Sequence, residues 1–126
     1  MVRARALIHF EALIFHGTGG AIYVDVSTVR VRDSNFTGNL ATEHGGAVFA
    51  LTNTLLQLDG VEMRDNQAVE RGGSVFMGNT FSVWSGNFLM INNTRFLDGR
   101  AFRGGALYLR TTEFYARRSE FRRLHV

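Results

Sequence analysis

The pair Gly-Gly occurs four times at nearly even distances, at 19–20, 45–46, 72–73 and 104–105, each time followed by a small residue and a short apolar run. Separations of 26, 27 and 32 residues are those of solenoids, whose repeats bury their apolar faces only against one another. Anchoring on the doublets divides the chain into repeats near 19–44, 45–71, 72–103 and 104–126 within one domain spanning 1–126. Residues 1–18 read as a degenerate first coil, because Phe10 stands nine residues before Gly19 as Phe36 does before Gly45.

Within each repeat the apolar residues alternate. Val29-x-Val31, Leu56-x-Leu58, Leu89-x-Ile91 and Phe114-x-Ala116 have the period of a strand, with side chains on opposite faces. A second pair follows, at Ser34-x-Phe36, Val61-x-Met63, Thr94-x-Phe96 and Ser119-x-Phe121, and a third run follows each doublet. No stretch offers a helix of useful length. The expected fold is all-β, a right-handed parallel β-helix of about four to five coils with three short strands per coil. Fourteen glycines and no proline fit a chain that turns often and keeps every N–H for ladder bonds.

In such a coil each residue lies about 4.8 Å above its counterpart one repeat earlier. Phe36, Met63, Phe96 and Phe121 then form one interior column, and Asn39 over Asn66 starts an amide ladder. That ladder breaks at Gly99 or Arg100, where the third repeat is one residue short. The glycine doublets are expected to take positive φ or to admit a neighbouring coil. The charges check the register. One position before the aromatic column reads Asn35, Glu62, Arg95, Glu120; four before it reads Arg32, Asp59, Asn92, Arg117; two after it reads Gly38, Asp65, Asp98, Arg123. Only Asp65 over Asp98 sets like charges face to face.

The pairing of GG-A-[ILV] with F-x-x-N resembles the repeats of the chlamydial polymorphic outer-membrane protein family, a pectin-lyase-like β-helix. The matching residues are Phe36, Asn39, Ala41 and Gly45-Gly46-Ala47-Val48, then Met63, Asn66, Ala68 and Gly72-Gly73-Ser74-Val75, then Phe96 and Gly104-Gly105-Ala106-Leu107. Methionine and serine depart from the motif in the second set, and the third lacks the asparagine. The resemblance implies a non-catalytic structural or adhesive repeat domain, extracellular or at the cell surface, within a longer array. The alternative is a carbohydrate-binding or degenerate polysaccharide-processing module of the same shape.

An enzyme of this shape wants clustered acids and a base. Here the acids scatter over different columns, there is no lysine, and the histidines at 9, 16, 44 and 125 lack metal-ligand spacing. His44 reads as a surface turn residue. With no cysteine, thiolate sites are excluded. GTGG at 17–20 lacks the GK[ST] of a phosphate loop. No catalytic residue, metal or cofactor is expected, and no apolar run reaches the roughly 20 residues of a membrane helix.

Two features are candidates for binding. The third repeat carries surplus residues, Gly78 to Asn87, with Phe81, Trp84 and Asn87 placed to stack on a sugar or dock a partner. The second is basic: residues 95–126 hold eight arginines against three acids, whereas 1–94 hold six against eight. Arg110, Arg117 and Arg118 head that set, with Phe114 and Phe121 expected to point inward. Expected partners are other repeats, an end-to-end copy, a surface glycan or a host protein. Nucleic acid is the least expected.

Overall fold

A computed structural model describes residues 2–3, 9–11, 14–15, 21–24, 28–51, 54–78 and 86–125, the first three stretches by backbone pairing only. The first coil comprises β1 (Val2–Arg3), β2 (His9–Glu11), β3 (Ile14–Phe15) and β4 (Ile22–Val24). The second holds β5 (Thr28–Arg32), β6 (Asn35–Thr37), β7 (Leu40–Ala41) and β8 (Val48–Ala50). The third holds β9 (Leu55–Asp59), β10 (Glu62–Arg64), β11 (Gln67–Ala68) and β12 (Val75–Met77). The fourth has β13 (Asn87–Asn92), β14 (Arg95–Leu97) and β15 (Leu107–Leu109), and the fifth begins with β16 (Thr112–Arg117) and β17 (Glu120–Arg122).

Every strand pairs in parallel with its equivalent one coil away. A long sheet runs β1-β5-β9-β13-β16, a second β2-β6-β10-β14-β17, and a third, following the doublets, β4-β8-β12-β15. The chain is a parallel β-helix. The three expected segments recur in each of the complete coils, and the pair-length strands β3, β7 and β11 add a short ladder at one corner. The sequence-derived columns are adjacent in the structure: Phe36 pairs with Met63, Met63 with Phe96, and Phe96 with Phe121.

The corners show why these sequences turn. Asp33, Gly60, Asn93 and Arg118 occupy one corner of successive coils, all with φ between 46° and 66°. Gly38, Asp65, Asp98 and Arg123 occupy the next, again left-handed. Glycine, Asp and Asn tolerate this region best. The doublets divide the two roles expected of them. Their first glycines, Gly45, Gly72 and Gly104, have φ of 66°, 68° and 66°. Their second glycines admit the next coil: a methyl on Gly46 would strike the Gly73 carbonyl oxygen, and one on Gly73 that of Gly105.

The core is the tube between the sheets. Val29, Leu56 and Leu89, then Val31, Leu58 and Ile91, fill it from the long sheet, and Phe36, Met63 and Phe96 from the second. The buried asparagines of one corner satisfy each other and the backbone. Asn66 Oδ1 accepts from Asn39 Nδ2 at 3.0 Å and from Asn39 N at 3.1 Å, and Asn66 Nδ2 donates to the Phe36 carbonyl at 2.9 Å. Bridges between Gln67 and Arg100 and between Arg71 and Arg103 locate the missing residue after Arg100. Gly99 therefore occupies the ladder position of Asn66, and a Cβ there would strike the Gly105 carbonyl oxygen. Phe114 and Phe121 do stand in interior columns, over Leu89 and Phe96. They are nevertheless 41% and 40% exposed, because only the fourth coil packs against them.

Candidate functional site

The outward residues of the long sheet follow from the same alternation that fills its core. One outward column reads Arg30, Gln57, Met90, Tyr115 and the next Arg32, Asp59, Asn92, Arg117. These columns, together with Arg118 at the left-handed corner, line a groove of about 590 Å³ running across the coils.

The groove mixes charge, amide and apolar surface. Asn92 Nδ2 donates to Asp59 Oδ1 at 3.1 Å, and Gln57 Nε2 approaches Met90 Sδ at 3.4 Å. Tyr115 donates its hydroxyl proton to Glu113 Oε2 at 3.1 Å. That hydrogen bond, reinforced by the carboxylate's charge, raises the phenol above its ordinary value. Met90 is 41% and Tyr115 56% exposed.

Ion pairs gather on the second sheet and the corner beside it. On the second sheet Arg64 pairs with Glu62 at 3.1 Å, and Arg95 bridges Glu62 at 3.4 Å and Glu120 at 3.2 Å. Glu120 also holds Arg122, and Arg123 grips Asp98 through two bonds of 2.8 and 3.0 Å. On that side four arginines share three carboxylates. Asp98 is thus balanced by Arg123 on its far side, although it follows Asp65 in its column. Arg30, Arg32, Arg117 and Arg118 make no ion pair among the described residues, and Asp59 is the one acid lining their groove. Arg30 Nε is buried without a hydrogen-bond partner.

A second outward feature lies on the sheet after the doublets. Tyr23, Phe49, Phe76 and Tyr108 stack with centroids 5.4, 5.0 and 5.5 Å apart. Phe49 is 5% and Phe76 0% exposed, although both point away from the tube. Arg71 lies 5.3 Å over Tyr108. His44 does not stand in solvent as a turn residue: its ring stacks on Phe76 at 4.8 Å, and Nδ1 lies 3.8 Å from Glu70 Oε2. The sequence shows no sign of this, because the aromatics that the ring covers lie in different repeats.

Of the residues singled out from sequence, Arg117 and Arg118 line the groove. Arg110 does not; its backbone packs beside Gly78, at the start of the surplus segment. Asn87 is 1% exposed, and its Oδ1 accepts from the Thr54 N–H at 2.9 Å, so it closes a strand end instead of facing a ligand. Phe81, Trp84 and the doublet at 19–20 lie outside the described residues. Arg30, Arg32, Gln57, Asp59, Met90, Asn92 and Tyr115 were missed as site residues. Their signal was the outward half of the alternation, read across coils instead of along the chain.

Among the described residues no three His, Asp or Glu side chains gather as a metal site, and no helix is long and apolar enough to cross a membrane. Residues 33–51 match the Chlamydia polymorphic membrane protein repeat. This stretch contains the Phe36, Asn39 and Gly45-Gly46-Ala47-Val48 set, so the match falls on the repeat motif itself. No curated protein and no solved structure matches the chain.

Proposed function

We propose that this chain is a non-catalytic, adhesive repeat segment of a secreted or surface-displayed protein. The stacked coils serve as a rigid spacer, and the outer groove of the long sheet makes the contact. One observation carries this reading: Arg30, Arg32, Arg117 and Arg118 line a single groove with one acid, Asp59, and none of the four is ion-paired among the described residues. Uncompensated charge is costly to gather on a fold and useful for steering a partner of opposite sign. The repeat match supports display at a surface.

Beads coated with the full chain should adhere to epithelial cell monolayers at physiological ionic strength. A variant with Arg30, Arg32, Arg117 and Arg118 all changed to Ala should adhere no better than bare beads, while keeping its β-sheet circular dichroism. Equal adhesion of the two proteins would sink the proposal.

A further inference from the structure

The groove also constrains the chemistry of its ligand, and this inference rests on the adhesive reading above. Arg30 and Arg32 belong to the second coil, Arg117 and Arg118 to the fifth. Three ladder steps of about 4.8 Å put the two pairs roughly 14 Å apart along the solenoid axis. Gln57, Asp59, Met90 and Asn92 lie between them, on the third and fourth coils. A ligand that satisfies both ends must therefore be extended along the axis, with its anionic groups well separated.

The middle of the groove says what lies between those anions. Asp59 opposes a negative group there, and its carboxylate and the amides of Gln57 and Asn92 suit hydroxyls that both donate and accept. Met90 and Tyr115 offer exposed apolar surface in the same column as Gln57, suited to the C–H face of a sugar ring. A nucleic acid carries a phosphate on every unit and would press one against Asp59. A polyanion charged only on alternate units avoids that.

We infer that the groove binds a linear acidic glycan, with carboxylate or sulfate groups on alternate sugars held by Arg30/Arg32 and Arg117/Arg118 and a neutral sugar over Asp59 and Asn92.

The test is calorimetric titration of the full chain with hyaluronan oligosaccharides, in which an acidic sugar alternates with a neutral one. Neutral dextran and a short oligothymidylate serve as comparison ligands. Saturable hyaluronan binding is expected, with a log–log salt slope of about −2 to −4 for two to four neutralised contacts. Arg32→Ala and Arg117→Ala should each weaken it roughly tenfold, whereas Arg110→Ala, outside the groove, should leave it unchanged. Asp59→Asn should improve oligothymidylate binding more than hyaluronan binding. The inference is overturned if hyaluronan does not bind, if dextran binds equally well, or if Arg110→Ala weakens binding as much as the groove variants. Loss of cell adhesion in the four-arginine variant without any glycan binding would remove the glycan and leave the adhesive role standing. Glycan binding without adhesion would do the reverse.

Discussion

At the scale of single residues, the buried polar groups distinguish ladder positions that work from those that merely fit. Asn66 satisfies two N–H donors of Asn39 and one carbonyl of Phe36 in a site with no access to water. Asn66→Ala should cost about 2–4 kcal/mol, since orphaned buried donors lose their full solvation, and a urea melt followed by circular dichroism would measure it. Ser74 is the opposite case: its Oγ is fully buried without a partner, in a column otherwise held by Ala47 and Ala106. Ser74→Ala should raise stability by about 1 kcal/mol in the same melt. The amide ladder was legible from the spacing of Asn39 and Asn66. The reason it stops at Gly99 was not. Gly99→Asn looks in sequence like an extension of the ladder, yet its Cβ would meet the Gly105 carbonyl. It should lower the urea midpoint by the equivalent of about 1–3 kcal/mol.

At the scale of elements, the sheet after the doublets buries both faces of its two middle strands, β8 and β12. Val48, Ala50, Val75 and Met77 fill the tube, while Phe49 and Phe76 stack on the outside under His44. Alternation alone would leave Phe76 exposed, and a surface change there would shift stability by less than about 0.5 kcal/mol. With the ring held between Phe49 and Tyr108, Phe76→Ala should instead cost about 3–5 kcal/mol. Tyr115→Ala, also outward but 56% exposed, should leave the melting temperature nearly unchanged. The comparison of the two thermal melts tests whether the outer stack is a second core. The ion ladder Glu62, Arg95, Glu120 was readable as alternating signs in one column, because register alone puts those residues on neighbouring strands.

At the scale of the whole molecule, stability is a sum over neighbouring coils. The third coil, with β9, β10 and β12, has partners on both sides, and its inward residues Leu56, Leu58 and Met63 are buried to within 1%. Phe114 and Phe121 on the fifth coil have a partner on one side only. Amide hydrogen exchange should therefore be slowest on the third coil and fastest on β16 and β17. Uniform protection along the chain would contradict a nearest-neighbour solenoid.

The repeat period, the coil register, the inward columns and the turning glycines were all determined by the sequence alone. In a stacked fold a residue's vertical neighbours are its equivalents one period away, so spacing along the chain converts directly into contact. The outward faces were decided only in three dimensions. Arg32 meets Arg117 in one groove across 85 positions of sequence, and Phe76 is buried by a histidine from an earlier repeat. Which outward groups are covered, paired or left free depends on what the neighbouring corners lay over them. That sideways packing has no period to betray it.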